Sequence, residues 1–313
     1  MTMAPDETLE VLAMLRRGRL AIDACESGRT TFLSHVGAVP KLVPGPWIGH
    51  RDLLRAMALA NLHPQQRASL ARAVLVEYGH TFGVGRLELT AHPSGLPLGG
   101  SSVWLRSRTS EVTCLYTWGL GPSPTAVACD WLVLRARPGW ALDKPFKTLS
   151  ATGLSTLFEL AGKVLVVVET AVSARLVADL VQGQLDVTAH ARFAPYVESS
   201  QPDAPLVLWP ADALDSSALA RFEFGTAIPL ELGESETRAV SEWAEARANV
   251  TVASACEPNR LTRKGLERFW RACGRPKILV RGEPSWTAEG AAWLRRLGAS
   301  VHVEPTSTQL GLF

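Results

Sequence analysis

The sequence predicts an α/β protein. From about residue 150 onward, short β-rich runs alternate with runs of helical period. The part before it is dominated by short alternating runs separated by Gly, Pro and Ser. The chain of 313 residues is 47% hydrophobic and 20% charged, enough to bury a substantial core. Strand–helix alternation of this kind implies a largely parallel sheet covered by helices.

Along the chain, residues 7–17 carry Leu9, Leu12 and Leu15 on one helical face. Leu20–Asp23 and Thr31–Ser34 read as short strands, and residues 51–77 as helices broken near Pro64. Gly83-Val84-Gly85 lacks the third glycine of a dinucleotide loop and leads into a strand at Arg86, so it reads as a turn. Arg86–Ala91, Ser102–Arg106, Glu111–Tyr116 and Trp131–Arg137 read as sheet strands.

In the second half the predicted order is helix at 151–161, strand Lys163–Val168, helix Val172–Val181 and strand Leu206–Trp209. Helix 235–248, strand Val250–Ser254, helix 262–273, strand Lys277–Arg281, helix Thr287–Leu297 and strand Ser300–Glu304 follow. Glu198–Pro205 is Pro/Ser-rich and reads as a surface loop.

Composition excludes several classes. No uninterrupted apolar run approaches the ~18 residues of a membrane helix, and the acidic start has no signal-peptide core. A cytoplasmic protein is the expectation. Cys25, Cys114, Cys129, Cys256 and Cys273 are scattered without a CxxC pair, as expected of reduced thiols. Net charge is +2, so contact with nucleic acid would need a local basic patch. The basic residues are 26 Arg and 6 Lys, a ratio that reads first as coding bias. Of the ten tryptophans, Trp243, Trp270, Trp286 and Trp293 lie on or beside helices, where packing is their expected role.

Three stretches carry a resemblance: Ile22–Pro46, Leu87–Leu105 (LELTAHPSGLPLGGSSVWL) and Leu115–Ala136 (LYTWGLGPSPTAVACDWLVLRA), with weaker echoes at Ser254–Glu257 and Lys277–Glu283. In this order they resemble the metallo-β-lactamase/β-CASP nucleases, above all the bacterial exonucleases associated with DNA ligase. The resemblance implies a metallo-β-lactamase-like αββα sandwich with an inserted β-CASP-like α/β domain. The expected division is 1–145 for the first half of the sandwich, 146–249 for the insertion, 250–304 for the return, and 305–313 for a tail.

The same resemblance locates what is missing. A two-metal hydrolase clusters imidazoles and carboxylates to hold both ions. His35 matches the first histidine of the family's ligand loop, but the next three ligand positions are Gly37, Val39 and Pro40. Leu96 stands for a ligand histidine, and Trp118 or Gly119 for the bridging aspartate. Arg135 replaces an acidic residue, and Cys256 and Arg281 fall where histidines are expected. One imidazole does not hold two dications, and guanidinium groups repel them. The expectation is therefore a non-catalytic member with no catalytic residues, no metal and no cofactor. Asp23 resembles a family aspartate that supports the ligand loop, here with a structural role. His50, His63, His80, His92, His190 and His302 stand singly and read as ordinary histidines.

The chain ends Gln309-Leu310-Gly311-Leu312-Phe313, which resembles the bacterial sliding-clamp-binding peptide. Leu312 and Phe313 would each contribute roughly 1.5–3 kcal/mol on full burial in an apolar pocket. Gln309 would supply orienting hydrogen bonds. The other reading of this tail is a segment docked on its own domain.

The function these readings imply is a DNA repair or replication accessory factor recruited to the sliding clamp, with Gln309, Leu310, Leu312 and Phe313 as the partner-binding residues. An active nuclease, polymerase or helicase subunit is a further expected partner. Arg135, Arg281, Arg263 and Lys264 are candidates to grip phosphate, or else form a solvated, ion-paired face. An active metal-dependent nuclease with atypical ligands, and a purely structural protein-binding subunit, are the alternatives.

Overall fold

The computed structural model describes residues 11, 20–23, 29–36, 45–60, 62–135, 149–198, 200–230, 232, 234–247, 249–253, 255, 261–282 and 284–304. The chain divides into two compact units. Met1–Ala58, Leu62–Asp143 and Arg260–Phe313 form one; Leu59–Asn61 and Lys144–Asn259 form the other.

The first unit opens with β1 (Leu20–Ile22), β2 (Thr30–Leu33) and β3 (Trp47–His50). Helices α1 (Arg51–Ala58) and α2 (Pro64–Ala71) then lead to β4 (Val74–Val76). These strands form a four-stranded sheet in sequence order, parallel throughout. Pro64 does not break a helix here; it opens α2, where a missing N–H costs nothing. The Gln66 side chain accepts from the His63 amide at 3.1 Å and closes the helix start.

The chain then forms an antiparallel meander of β5 (Thr81–Val84), β6 (Leu87–Pro93), β7 (Ser101–Ser107) and β8 (Thr113–Thr117). β9 (Trp131–Arg135) joins β8 in parallel. The β5–β6 hairpin turns on Gly85 at φ 59°, a left-handed conformation that glycine adopts without strain.

The second unit contains α3 (Ala151–Ala161), β10 (Val164–Val167), α4 (Ala171–Val181), β11 (Val187–Ala189) and β12 (Leu206–Trp209). It continues with α5 (Ser217–Ala220), β13 (Thr226–Pro229), α6 (Glu234–Glu245) and β14 (Thr251–Val252). Its sheet is parallel, in the order β11-β12-β10-β13-β14. All four residues of central β10 are buried, which explains the unbroken apolar run Val164–Val167. Ser150 and Thr170 cap α3 and α4, each accepting at 3.1 Å from the amide three residues on. Trp243 packs into this unit's core beside Trp209 and Phe224.

The chain returns to the first unit with α7 (Arg263–Ala272), β15 (Lys277–Arg281), α8 (Pro284–Arg296) and β16 (Val301–Val303). β15 pairs in parallel with β9, and β16 with β15, completing the seven-stranded order β16-β15-β9-β8-β7-β6-β5. On one face of this sheet, Leu266, Phe269 and Trp270 of α7 and Leu294 of α8 pack onto Leu115, Leu132 and Ile278. On the other face Cys114, Val133 and Leu279 are fully buried.

The protein is thus mixed α/β, with parallel and mixed sheets. Thr251–Val252 pair with Thr226–Ala227, so β14 belongs to the second unit, which runs to Asn259. Strands β3, β4, β5, β11 and β13 have no counterpart in the sequence reading, and β4 occupies what read as the end of a helix. Of the predicted helix at 7–17 only Val11 is among the described residues, where it is helical. Cys114, Cys129 and Cys273 are free thiols; Cys25 and Cys256 lie outside the described residues. Among the described residues no helix is long and apolar enough to cross a membrane.

Leu132 is fully buried between β8, β15 and the two outer helices. Leu132→Ala should cost about 2–5 kcal/mol through lost burial and the cavity left behind. Urea unfolding should show a lower midpoint with an unchanged slope.

Candidate functional site

In the first unit, side chains from the carboxyl ends of β1, β2, β8, β9, β15 and β16 meet. Carboxyl-end crevices are where open α/β sheets place ligands. Here the space is taken by side chains bonded to one another.

Asp23 follows β1 at φ 50°, in the left-handed region that Asp tolerates better than most residues. Its carboxylate is 5% exposed and is satisfied from two sheets. Ser34, just past β2, donates its amide to Oδ1 at 2.7 Å and its hydroxyl to Oδ2. Tyr116 of β8 donates its hydroxyl to Oδ2 at 3.2 Å. His35 Nδ1 lies 3.4 Å from the same Oδ2 and 3.1 Å from Ser34 Oγ.

Burial pushes the Asp23 pKa up. The His35 imidazole, by charge and hydrogen bond, and the two Ser34 bonds outweigh it and hold the carboxyl below its ordinary 3.8. Burial, with the Asp23 charge beside it, pushes the Tyr116 hydroxyl well up, so it remains a donor.

His35 stacks on Trp118, with ring centroids 3.6 Å apart and planes within 13°. The Arg135 guanidinium carbon is 5.2 Å from the Trp118 ring centroid. Arg135 and Arg281 are register partners on adjacent parallel strands. Arg281 Nε donates to Glu304, which follows β16. Charges on Glu304 and Asp23 help keep that guanidinium protonated against the effect of its burial.

Two close contacts fix the surrounding loops. Ser101 donates its amide to the Ser34 carbonyl at 2.9 Å, tying the start of β7 to the end of β2. Gly121 lies so close to the Ser94–Gly100 turn that an added Cβ would stand 1.8 Å from the Gly95 carbonyl oxygen. That turn carries Leu96, which is buried.

The structure therefore brings His35, Trp118, Arg135 and Arg281 together. Arg263 and Lys264 lie elsewhere, in the first turn of α7, with the Arg263 guanidinium 5.6 Å from the Trp293 ring centroid. Leu261, just before that turn, donates its amide to Leu120 at 3.1 Å, so α7 starts beside the Trp118–Gly121 loop. Gly37, Val39, Pro40, Cys256 and the tail residues Gln309, Leu310, Leu312 and Phe313 lie outside the described residues. Ser34, Tyr116 and Glu304 belong to the cluster and were not singled out from the sequence. Their partners stand 11, 93 and 23 residues away, so no local pattern points to them.

A pair of divalent cations, as the resemblance would imply, does not fit these groups. Asp23 and the Nδ1 edge of His35 are engaged with each other and with Ser34. An indole and two guanidiniums fill the neighbouring positions. Among the described residues no three His, Cys, Asp or Glu side chains form a metal-holding group.

No protein-family model matches the chain, and no curated protein matches it. A solved structure of a protein of unknown function from Enterococcus faecalis V583 is similar in fold, with a TM-score of 0.50 and 12% identity. The likeness covers 80% of this chain and 74% of that one.

Asp23→Asn keeps the size and the left-handed preference of the residue while removing its charge. At neutral pH it should lower stability by about 1–3 kcal/mol, because a buried acceptor set is broken. Since the folded-state pKa is depressed, the wild-type contribution is present above the ordinary 3.8 and fades as pH falls through the folded value. Urea unfolding of the two proteins should therefore differ fully above about pH 5 and converge only once the pH has fallen below the folded value, itself under 3.8.

Proposed function

We propose that this protein is a non-catalytic accessory factor of DNA repair or replication. In this reading its first unit is a degenerate metallo-β-lactamase-like αββα sandwich and its second unit the β-CASP-like insertion. The Gln309–Phe313 peptide recruits it to the sliding clamp.

One observation carries the loss of catalysis. The groups where the strand ends meet neutralise and cover one another: Asp23 with Ser34, His35 and Tyr116, Trp118 against His35 and Arg135, and Arg281 with Glu304. Phosphodiester hydrolysis on such a framework needs ligands that present an activated water and steady the phosphate oxygens. A buried, internally bonded carboxylate and imidazole offer no such open coordination. The fixed cations favour anions and disfavour dications.

The clamp half of the proposal rests on the peptide itself. A short extended segment has few residues to order on binding, and it gains by burying Leu312 and Phe313.

Both halves can be tested with the full chain. Incubation with labelled single- and double-stranded DNA and with Mg²⁺, Mn²⁺ or Zn²⁺ should leave the strands intact. Degradation that a chelator stops would overturn the non-catalytic reading. Surface-immobilised clamp should capture the full chain, and deletion of Gln309–Phe313 should abolish capture without changing the melting temperature. Equal capture of both proteins would remove the clamp from the proposal.

A further inference from the structure

The strongest charge asymmetry in the chain lies away from the residues just described. Between Leu261 and Lys277 stand Arg263, Lys264, Arg268, Arg271, Arg275 and Lys277, against the single acidic residue Glu267. That segment carries net +5, while the whole chain carries +2, so the remainder is net negative. The charge is also ordered in space. On α7, Lys264, Arg268 and Arg271 fall within an arc of roughly 60°, at 100° per residue. Their side chains are exposed, as is that of Arg275 just past the helix end. Leu266, Phe269 and Trp270, on the opposite side of α7, are buried in the core.

The row serves the helix only at its end, where Arg271 lies in the last turn. Lys264 sits in the first turn, where the helix dipole disfavours a cation. Of the row, Arg271 has an acidic partner on the helix, Glu267 four residues earlier. A line of exposed cations about 10 Å long, from Lys264 to Arg271, spans the axial rise of about three phosphates on one strand of a duplex, at ~3.4 Å of axis each. It does not match a lipid surface, because the aromatic and aliphatic side chains of α7 that could enter one are held in the core.

We propose that the outward row Lys264, Arg268 and Arg271 of α7, extended by Arg275, is the surface that grips the phosphate backbone of DNA. The inference deepens the reading above and rests on its DNA partner, but not on the clamp peptide. It places the contact on the exposed side of α7 and not at Arg281, which is half-buried and bonded to Glu304.

The test is fluorescence anisotropy of the full chain with a labelled duplex and a labelled single strand across a salt series. The variant combines Lys264→Gln, Arg268→Gln and Arg275→Asn, Asn being chosen because position 275 has φ 57°. Arg238→Gln, an exposed cation of α6, serves as the control. The triple variant should melt like the wild type and bind duplex at least ~10-fold more weakly at low salt. Its log–log salt slope should be shallower by about 0.9 per lost phosphate contact. The control should bind and titrate like the wild type.

A triple variant with wild-type affinity and slope would overturn the α7 surface while leaving the accessory-factor reading in place. A wild type that binds neither nucleic acid would sink the surface and the DNA part of that reading together. A wild type that binds phosphatidylserine vesicles and not DNA would overturn the surface in favour of a membrane. Capture by the clamp, measured in parallel, stays at the wild-type level in the triple variant if the peptide acts alone.

Discussion

A carboxylate withdrawn from water must be met by donors, and in this protein the donors for Asp23 come from two different sheets. Ser34 supplies two of them from the end of β2, and Tyr116 supplies a third from the middle of the seven-stranded sheet. The requirement is stringent, because a buried anion lacking one of its partners is among the costliest defects a fold can carry. It fixes the end of β1 against β8, and with it the position of His35. From there the rest follows by contact: imidazole on indole, indole near guanidinium, and a second guanidinium held by Glu304. The corner where an α/β protein commonly keeps its reactive groups is here a bonded joint between layers.

Much of the architecture was legible in the chain because two periods are easy to separate. Val164–Val167 and Ile278–Val280 are short, unbroken apolar runs rich in β-branched residues, and they are buried parts of parallel strands in the structure. Helix α7 was legible from its apolar residues at 266, 269 and 270, which face the core with Cys273 just past its end. Three of the strands without a counterpart, β4, β5 and β13, share a physical trait. β5 contains Gly83 and is partly exposed, β4 shows Val74 and Leu75 to solvent, and β13 ends in Pro229. Each mixes turn-forming or surface features with strand geometry, so local composition argues against what pairing with neighbours decides.

The site divides the same way. His35, Trp118, Arg135 and Arg281 stood out as residues in unusual places, and they do come together. What they do there depends on Ser34, Tyr116 and Glu304, ordinary residues whose meaning lies wholly in tertiary contact. Asp23 illustrates the point. Its identity suggested structural support, but only the geometry names the tyrosine 93 residues away that completes its shell. Charge, by contrast, survives in one dimension. The basic character of residues 261–277 can be counted directly, and the helix turns that count into a line.

The pairing of β9 with β15 has a consequence for synthesis. Arg135 and Lys277 bracket Lys144–Asn259, nearly all of the second unit, yet their strands are hydrogen-bonded neighbours. A ribosome adding about 5–20 residues per second takes roughly 7–30 s to travel between them. Through that interval β9, with four of its five residues destined for burial, is the open margin of a half-built sheet. Such a margin invites pairing with a neighbouring nascent chain. The order of translation thus makes early, independent closure of the inserted unit an advantage: it keeps the polypeptide compact while the exposed strand waits for its mate.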